Sequence, residues 1–128
     1  MRLLLDTHVL LWVLGSPEKL PRSTRKIILD SANEVWFSVA SIWEIAIKSQ
    51  LRRVDFKVNP EQVARAAAES GLDELPIRAE HAALTARLPT HHRDPFDRLL
   101  VAQALIEPAR LLTADKALRP YSDLVEVI

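Results

Sequence analysis

An alternation of two kinds of segment constrains this chain more than any other feature. Short apolar runs, rich in leucine, valine and aromatic residues, recur between longer stretches whose apolar positions fall at helical spacing. The runs over 2–5, 34–38, 75–77, 110–113 and 124–128 are predicted strands, the third at an edge because Pro76 cannot donate to a ladder. Helices are predicted over 7–14, 20–31, 41–51, 60–70, 79–88 and 95–106, with a single helical turn over 115–118 and a polar loop over 89–93. Pro60 and Pro95 open two of these helices, Gly15 stops the first helix, and Gly71 stops the one that Pro60 opens. Strands alternating with helices predict an α/β domain with a mostly parallel central sheet, one domain over residues 1–128.

Composition removes whole classes of chemistry. The 128 residues contain no cysteine, so disulfides, thiolate metal sites and cysteine nucleophiles are excluded. Two glycines leave no glycine-rich phosphate cradle. Seventeen basic residues balance seventeen acidic ones, which weighs against a free nucleic-acid binder unless the charge is locally sorted. The longest apolar run, Val9 to Leu14, is far short of a membrane span. The first residues run straight into Asp6, so neither a signal peptide nor export is expected, and a cytoplasmic location follows.

Four acids stand at or near predicted strand-to-helix transitions: Asp6, Glu44, Asp97 and Asp115. A parallel sheet places its ligands beyond the carboxyl ends of the strands, where strand order reverses. Four carboxylates gathered there would repel one another and raise one another's pKa, and a divalent cation would relieve that repulsion. Oxygen donors without thiolates suit Mg²⁺ or Mn²⁺, and such a site is suited to hydrolysis at a phosphate. Each acid also has a local role open to it. Ser41 and Glu44 fit a capping box, Asp94 and Pro95 fit a cap and a first helical residue with Asp97 in the first turn, and Asp6 and Asp115 can cap as well. Spacing alone leaves both readings open.

The segments Leu4–Trp12 (LLDTHVLLW), Ser41–Lys48 (SIWEIAIK), Arg93–Ala104 (RDPFDRLLVAQA) and Leu111–Leu118 (LLTADKAL) resemble, in order and with suitable gaps, the PIN-domain family, and within it the VapC-type toxins of bacterial toxin–antitoxin pairs. The resemblance runs through nearly the whole chain, and the segment around Pro95 to Ala104 is its most specific part. It implies a PIN-like α/β/α sandwich and a metal-dependent endoribonuclease that hydrolyses RNA phosphodiester bonds. It makes Asp6 and Asp97 the principal ligands of Mg²⁺ or Mn²⁺, Glu44 the third acid, Asp115 the fourth, and Thr113 the hydroxyl that accompanies it. It further implies a VapB-type antitoxin as partner and a homodimer. Asp94 is read as a cap, not a ligand.

Other residues receive readings from their type and place. Lys48, Arg52, Arg53 and Lys57 against Asp55 make the stretch 48–57 basic, as an RNA contact or as a solvated helix end. Arg93 and Arg98 flank the acid motif, and Arg98 is expected to pair with Asp94. His91 and His92 are expected to be exposed loop residues, because adjacent histidines diverge and chelate one ion poorly. His8 is expected to line the cleft without ligating. Trp12, Trp36 and Trp43 are expected in the core or at subunit contacts. Two competing readings remain. A phosphoryl-transfer aspartate domain would need acids that Asp6 lacks beside it, and an interaction module would use the four acids only as caps.

Overall fold

The computed structural model describes residues 1–51 and 58–128. Five strands, β1 (Arg2–Leu5), β2 (Glu34–Ser38), β3 (Asp73–Leu75), β4 (Arg110–Thr113) and β5 (Val125–Val127), form one sheet in the order β3-β2-β1-β4-β5. Every neighbouring pair is parallel. Six helices connect and cover them: α1 (Thr7–Gly15), α2 (Arg22–Leu29), α3 (Val39–Gln50), α4 (Pro60–Glu69), α5 (Ala79–Leu84) and α6 (Pro95–Ile106). No helix among the described residues is long and apolar enough to cross a membrane.

The two-residue period of a strand splits the core into two layers. Leu3 and Leu5 of β1, Phe37 of β2 and Leu112 of β4 face one way, onto Val9 and Leu10 of α1, Ile45 of α3 and Val63 of α4. Leu4 and Leu111 face the other way, onto Leu99, Leu100, Val101 and Ala104 of α6. The α/β/α sandwich is therefore written in the sequence of the central strands. Their middle positions are apolar in succession because both faces are covered there.

Several boundaries differ from those predicted. The edge strand runs Asp73–Leu75 rather than 75–77, because Leu75 pairs with Ser38 and Pro76 then ends the ladder. Helix α2 starts only after Pro21, and the preceding Leu20 is buried in the core. Helix α5 stops at Leu84, followed by a 3₁₀ turn over Thr85–Arg87. The turn after β4 is a 3₁₀ segment, Lys116–Tyr121. Helix α3 begins at Val39, two residues early, because the Ser38 hydroxyl accepts from the Ala40 amide and caps it.

That early start matters for the site. Glu44 lies at the sixth position of α3, so the capping box with Ser41 does not form. The cap itself is braced from the other side of the sheet. The Ser38 hydroxyl donates to Gln103 Oε1 at 2.6 Å, and Gln103 Nε2 donates to the Pro76 carbonyl at 3.2 Å. Ser38 and Gln103 are fully buried, so losing one leaves the other unsatisfied. Gln103→Leu is expected to cost about 1–3 kcal/mol in urea unfolding. Its effect should combine less than additively with that of Ser38→Ala, since both remove the same bond. Full additivity in the double mutant would contradict the brace.

Candidate active site

Strand order reverses between β1 and β4, and the site is built at their carboxyl ends. Asp6 follows β1 and caps α1: Oδ1 accepts from the Val9 amide at 2.8 Å. Its other oxygen, Oδ2, accepts from the Thr113 hydroxyl at the end of β4, at 2.5 Å. Thr113 Oγ1 in turn accepts from the Asp115 amide at 3.0 Å. One buried hydroxyl therefore ties the first acid to the backbone of the fourth.

The same division of labour recurs. Asp115 gives Oδ1 to the Ala117 amide as a cap, and its Oδ2 lies 2.8 Å from His92 Nε2. Glu44 is buried and uses both oxygens: Oε1 accepts from the Thr7 hydroxyl at 2.6 Å and Oε2 from Lys48 Nζ at 2.5 Å, one turn further along α3. Asp94 is the cap of α6, accepting from the Phe96 amide at 2.8 Å and the Asp97 amide at 3.4 Å. With the cap supplied by Asp94, the Asp97 carboxylate is left to face the cleft.

A cleft of about 540 Å³ is lined by Asp6, Glu44, Asp97 and Asp115 together with Lys48 and His92. All four predicted acids thus meet, and His8 lines the same space. Two further expectations are corrected. His92 is not an exposed loop residue: it is half-buried, and its Nε2 lies 3.4 Å from Asp97 Oδ2 as well as beside Asp115. Its neighbour His91 does stand exposed, edge-on to Tyr121. Arg98 does not pair with Asp94. It donates instead to the carbonyls of Thr85, Leu88, Pro89 and His92 and to Tyr121 Oη, fixing the loop that carries His92. Of the two places expected for Trp43, the core is ruled out and the surface is left: it is 53% exposed, with its ring edge-on to Phe96. Trp12 and Trp36 are partly buried, and the Arg2 guanidinium lies over Trp36. Of the basic stretch 48–57, residues 52–57 lie outside the described residues. Arg93 is exposed beside the acid motif.

Confinement shows in the acidities. Asp97 is pushed up to about 7, first by burial and then by the charges of Asp94, Glu44 and Asp6. Burial also raises Asp6, against the hydrogen bonds from Thr113 and Val9. For Asp115, burial is outweighed by the Ala117 amide and His92, which together hold its carboxyl below the usual range.

The chain matches the PIN domain over residues 3–124. It is 29% identical over 119 residues to Ribonuclease VapC22 of Mycobacterium tuberculosis, an alignment covering 92% of this chain and 90% of that protein. Its fold is similar to that seen in the crystal structure of VapBC2 from Rickettsia felis bound to a DNA fragment from their promoter. There the TM-score is 0.69 at 17% identity, over 100% of this chain and 98% of the other. It is also similar to FitAcB from Neisseria gonorrhoeae, with a TM-score of 0.56 at 20% identity, over 90% and 88% of the two chains.

The raised pKa of Asp97 carries a sign that can be tested without any ligand. Its folded value lies above its ordinary 3.8, so the folded state holds the proton more tightly and the ionised carboxylate opposes folding. The penalty is complete above about pH 7 and fades as pH falls towards 4. Asp97→Asn should therefore unfold at higher urea than the wild type at pH 8 in EDTA, by on the order of 2–4 kcal/mol. The gap should close by pH 4. A gap independent of pH would contradict the raised pKa of Asp97.

Proposed function

Because this chain belongs to the PIN-domain family, we propose that it is a metal-dependent endoribonuclease acting as the toxin of a toxin–antitoxin pair. The observation that carries the reading is the convergence of Asp6, Glu44, Asp97 and Asp115 on one cleft at the switch point of the sheet. The relation to Ribonuclease VapC22 supports RNA as the substrate.

The residues present fit a hard divalent ion. The donors are carboxylate oxygens, no thiolate exists in the chain, and the burial and neighbouring charges that lift Asp97 are what a dication offsets. Asp6 and Asp97 would hold Mg²⁺ or Mn²⁺, with Glu44 as the third acid and Asp115 as the fourth. Bound there, the ion supplies positive charge against a developing phosphorane and makes water at the site more acidic. The chain's own groups do the rest. Thr113 holds Oδ2 of Asp6 in place, and Thr7 holds Oε1 of Glu44. Asp94 caps α6 so that Asp97 is delivered by a rigid helix rather than a loop. Lys48 balances Glu44 at the cleft wall and stands where a phosphate would enter.

The same reading makes residues 1–128 one nuclease domain working in the cytoplasm. Its partners are a small VapB-type antitoxin and a second copy of itself. The structures of VapBC2 and FitAcB support the first partner, and the exposed Trp43 against Phe96 supplies apolar surface for such contacts.

The purified protein should cut RNA with Mg²⁺ or Mn²⁺ and stop in EDTA. Asp6→Asn and Asp97→Asn should each lose at least about 100-fold, beyond what loss of an outer partner of the metal costs. Expression of the wild type should arrest growth and expression of Asp6→Ala should not. Cleavage that survives EDTA would refute the reading.

A further inference from the structure

Asp97 and Asp115 reach the cleft from different elements, α6 and the turn after β4, and one side chain touches both. His92 Nε2 lies 2.8 Å from Asp115 Oδ2 and 3.4 Å from Asp97 Oδ2. The carboxylates and the imidazole have ligand atoms within 4.8 Å of one another, a spacing that would also suit a metal ion. The other ring nitrogen separates the two uses. His92 Nδ1 is 3.0 Å from the Asp94 backbone nitrogen, which can only donate. Nδ1 must therefore offer its lone pair, and the ring proton sits on Nε2, facing the two acids. A protonated nitrogen donates and does not ligate.

The ring is also held in place from behind. The His92 amide donates to Tyr121 Oη at 3.0 Å, and Arg98, whose guanidinium gathers the carbonyls of Thr85, Leu88 and Pro89, lies 3.4 Å from the His92 carbonyl and 3.1 Å from Tyr121 Oη. The Asp94 amide that fixes the ring belongs to the residue that caps α6. The loop is thus built to present one N–H at one place.

We propose that His92 is a positioning residue of the metal site, whose Nε2–H joins Asp115 to Asp97 and sets the two carboxylates for the cation without ligating it. The proposal rests on the nuclease reading and adds a residue that the four-acid pattern does not contain. Partners of this kind typically change metal affinity 10- to 100-fold when lost.

His81 gives an internal standard. Its Nδ1 likewise accepts a backbone amide, that of Arg78, and its Nε2 meets Glu107 at 2.7 Å, away from the cleft. In ¹⁵N-resolved spectra of the metal-free protein, the ring proton of His92 should sit on Nε2, and so should that of His81. Manganese titrations followed by electron paramagnetic resonance should give His92→Ala an affinity 10- to 100-fold below wild type. His92→Gln, which keeps an N–H at the same reach, should stay within about 5-fold of wild type. Pulsed spectra of the manganese-loaded wild type should show no nitrogen coupling that disappears in His92→Gln. Each opposite result overturns the proposal: a proton on Nδ1, a coupling lost in His92→Gln, His92→Ala binding like wild type, or His92→Gln binding as weakly as His92→Ala. All of these leave the nuclease reading standing. A wild type that binds no manganese removes that reading and the proposal with it.

Discussion

Like charges resist confinement, and this fold confines four of them. The parallel sheet sends every strand end to one edge, and the reversal of strand order between β1 and β4 opens the only gap that a central crevice needs. Asp6 and Thr113 stand on either side of that gap, joined by a hydrogen bond between buried side chains. Around them the fold accepts a local cost, visible in the upward displacement of Asp97 and Asp6. Sites that bind cations commonly carry such instability when nothing is bound, and gain it back on binding.

On the proposed reading Asp6 and Asp115 do two jobs at once, and capping does not compete with holding a cation. Asp6 and Asp115 each commit one oxygen to a helix or turn amide and turn the other towards neighbours at the cleft. Capping fixes the carboxylate's direction, so the structural role prepares the chemical one. Asp94 and Asp97 split the same two jobs between two residues: Asp94 spends its side chain on the helix end, and Asp97 is free of it.

The central architecture was legible because it depends on local pattern. Strands β1, β2 and β4 and helix α6 fall where apolar runs and the Asp94-Pro95 start place them. Legibility failed where a distant partner decides. Ser38 and Ser41 look alike as caps in sequence, and only the end of β2 makes Ser38 the cap, which moves Glu44 from a capping position into the interior of α3. Arg98 sits four residues after Asp94 and reads as its partner, yet it reaches across to a loop whose path the chain pattern does not reveal. His92 reads in sequence as half of an exposed pair, because two adjacent rings diverge, but a backbone amide and two acids claim one of them. The turn residues around it carry no periodicity from which burial could be inferred.

The central claim is that the carboxylates of Asp6 and Asp97 form one cation site. Crystals grown with manganese and measured at its absorption edge test it most directly. The account predicts an anomalous peak in the cleft, within coordinating distance of both carboxylates. A peak bound elsewhere on the surface, or a clean map around Asp6 and Asp97 at saturating manganese, would contradict it.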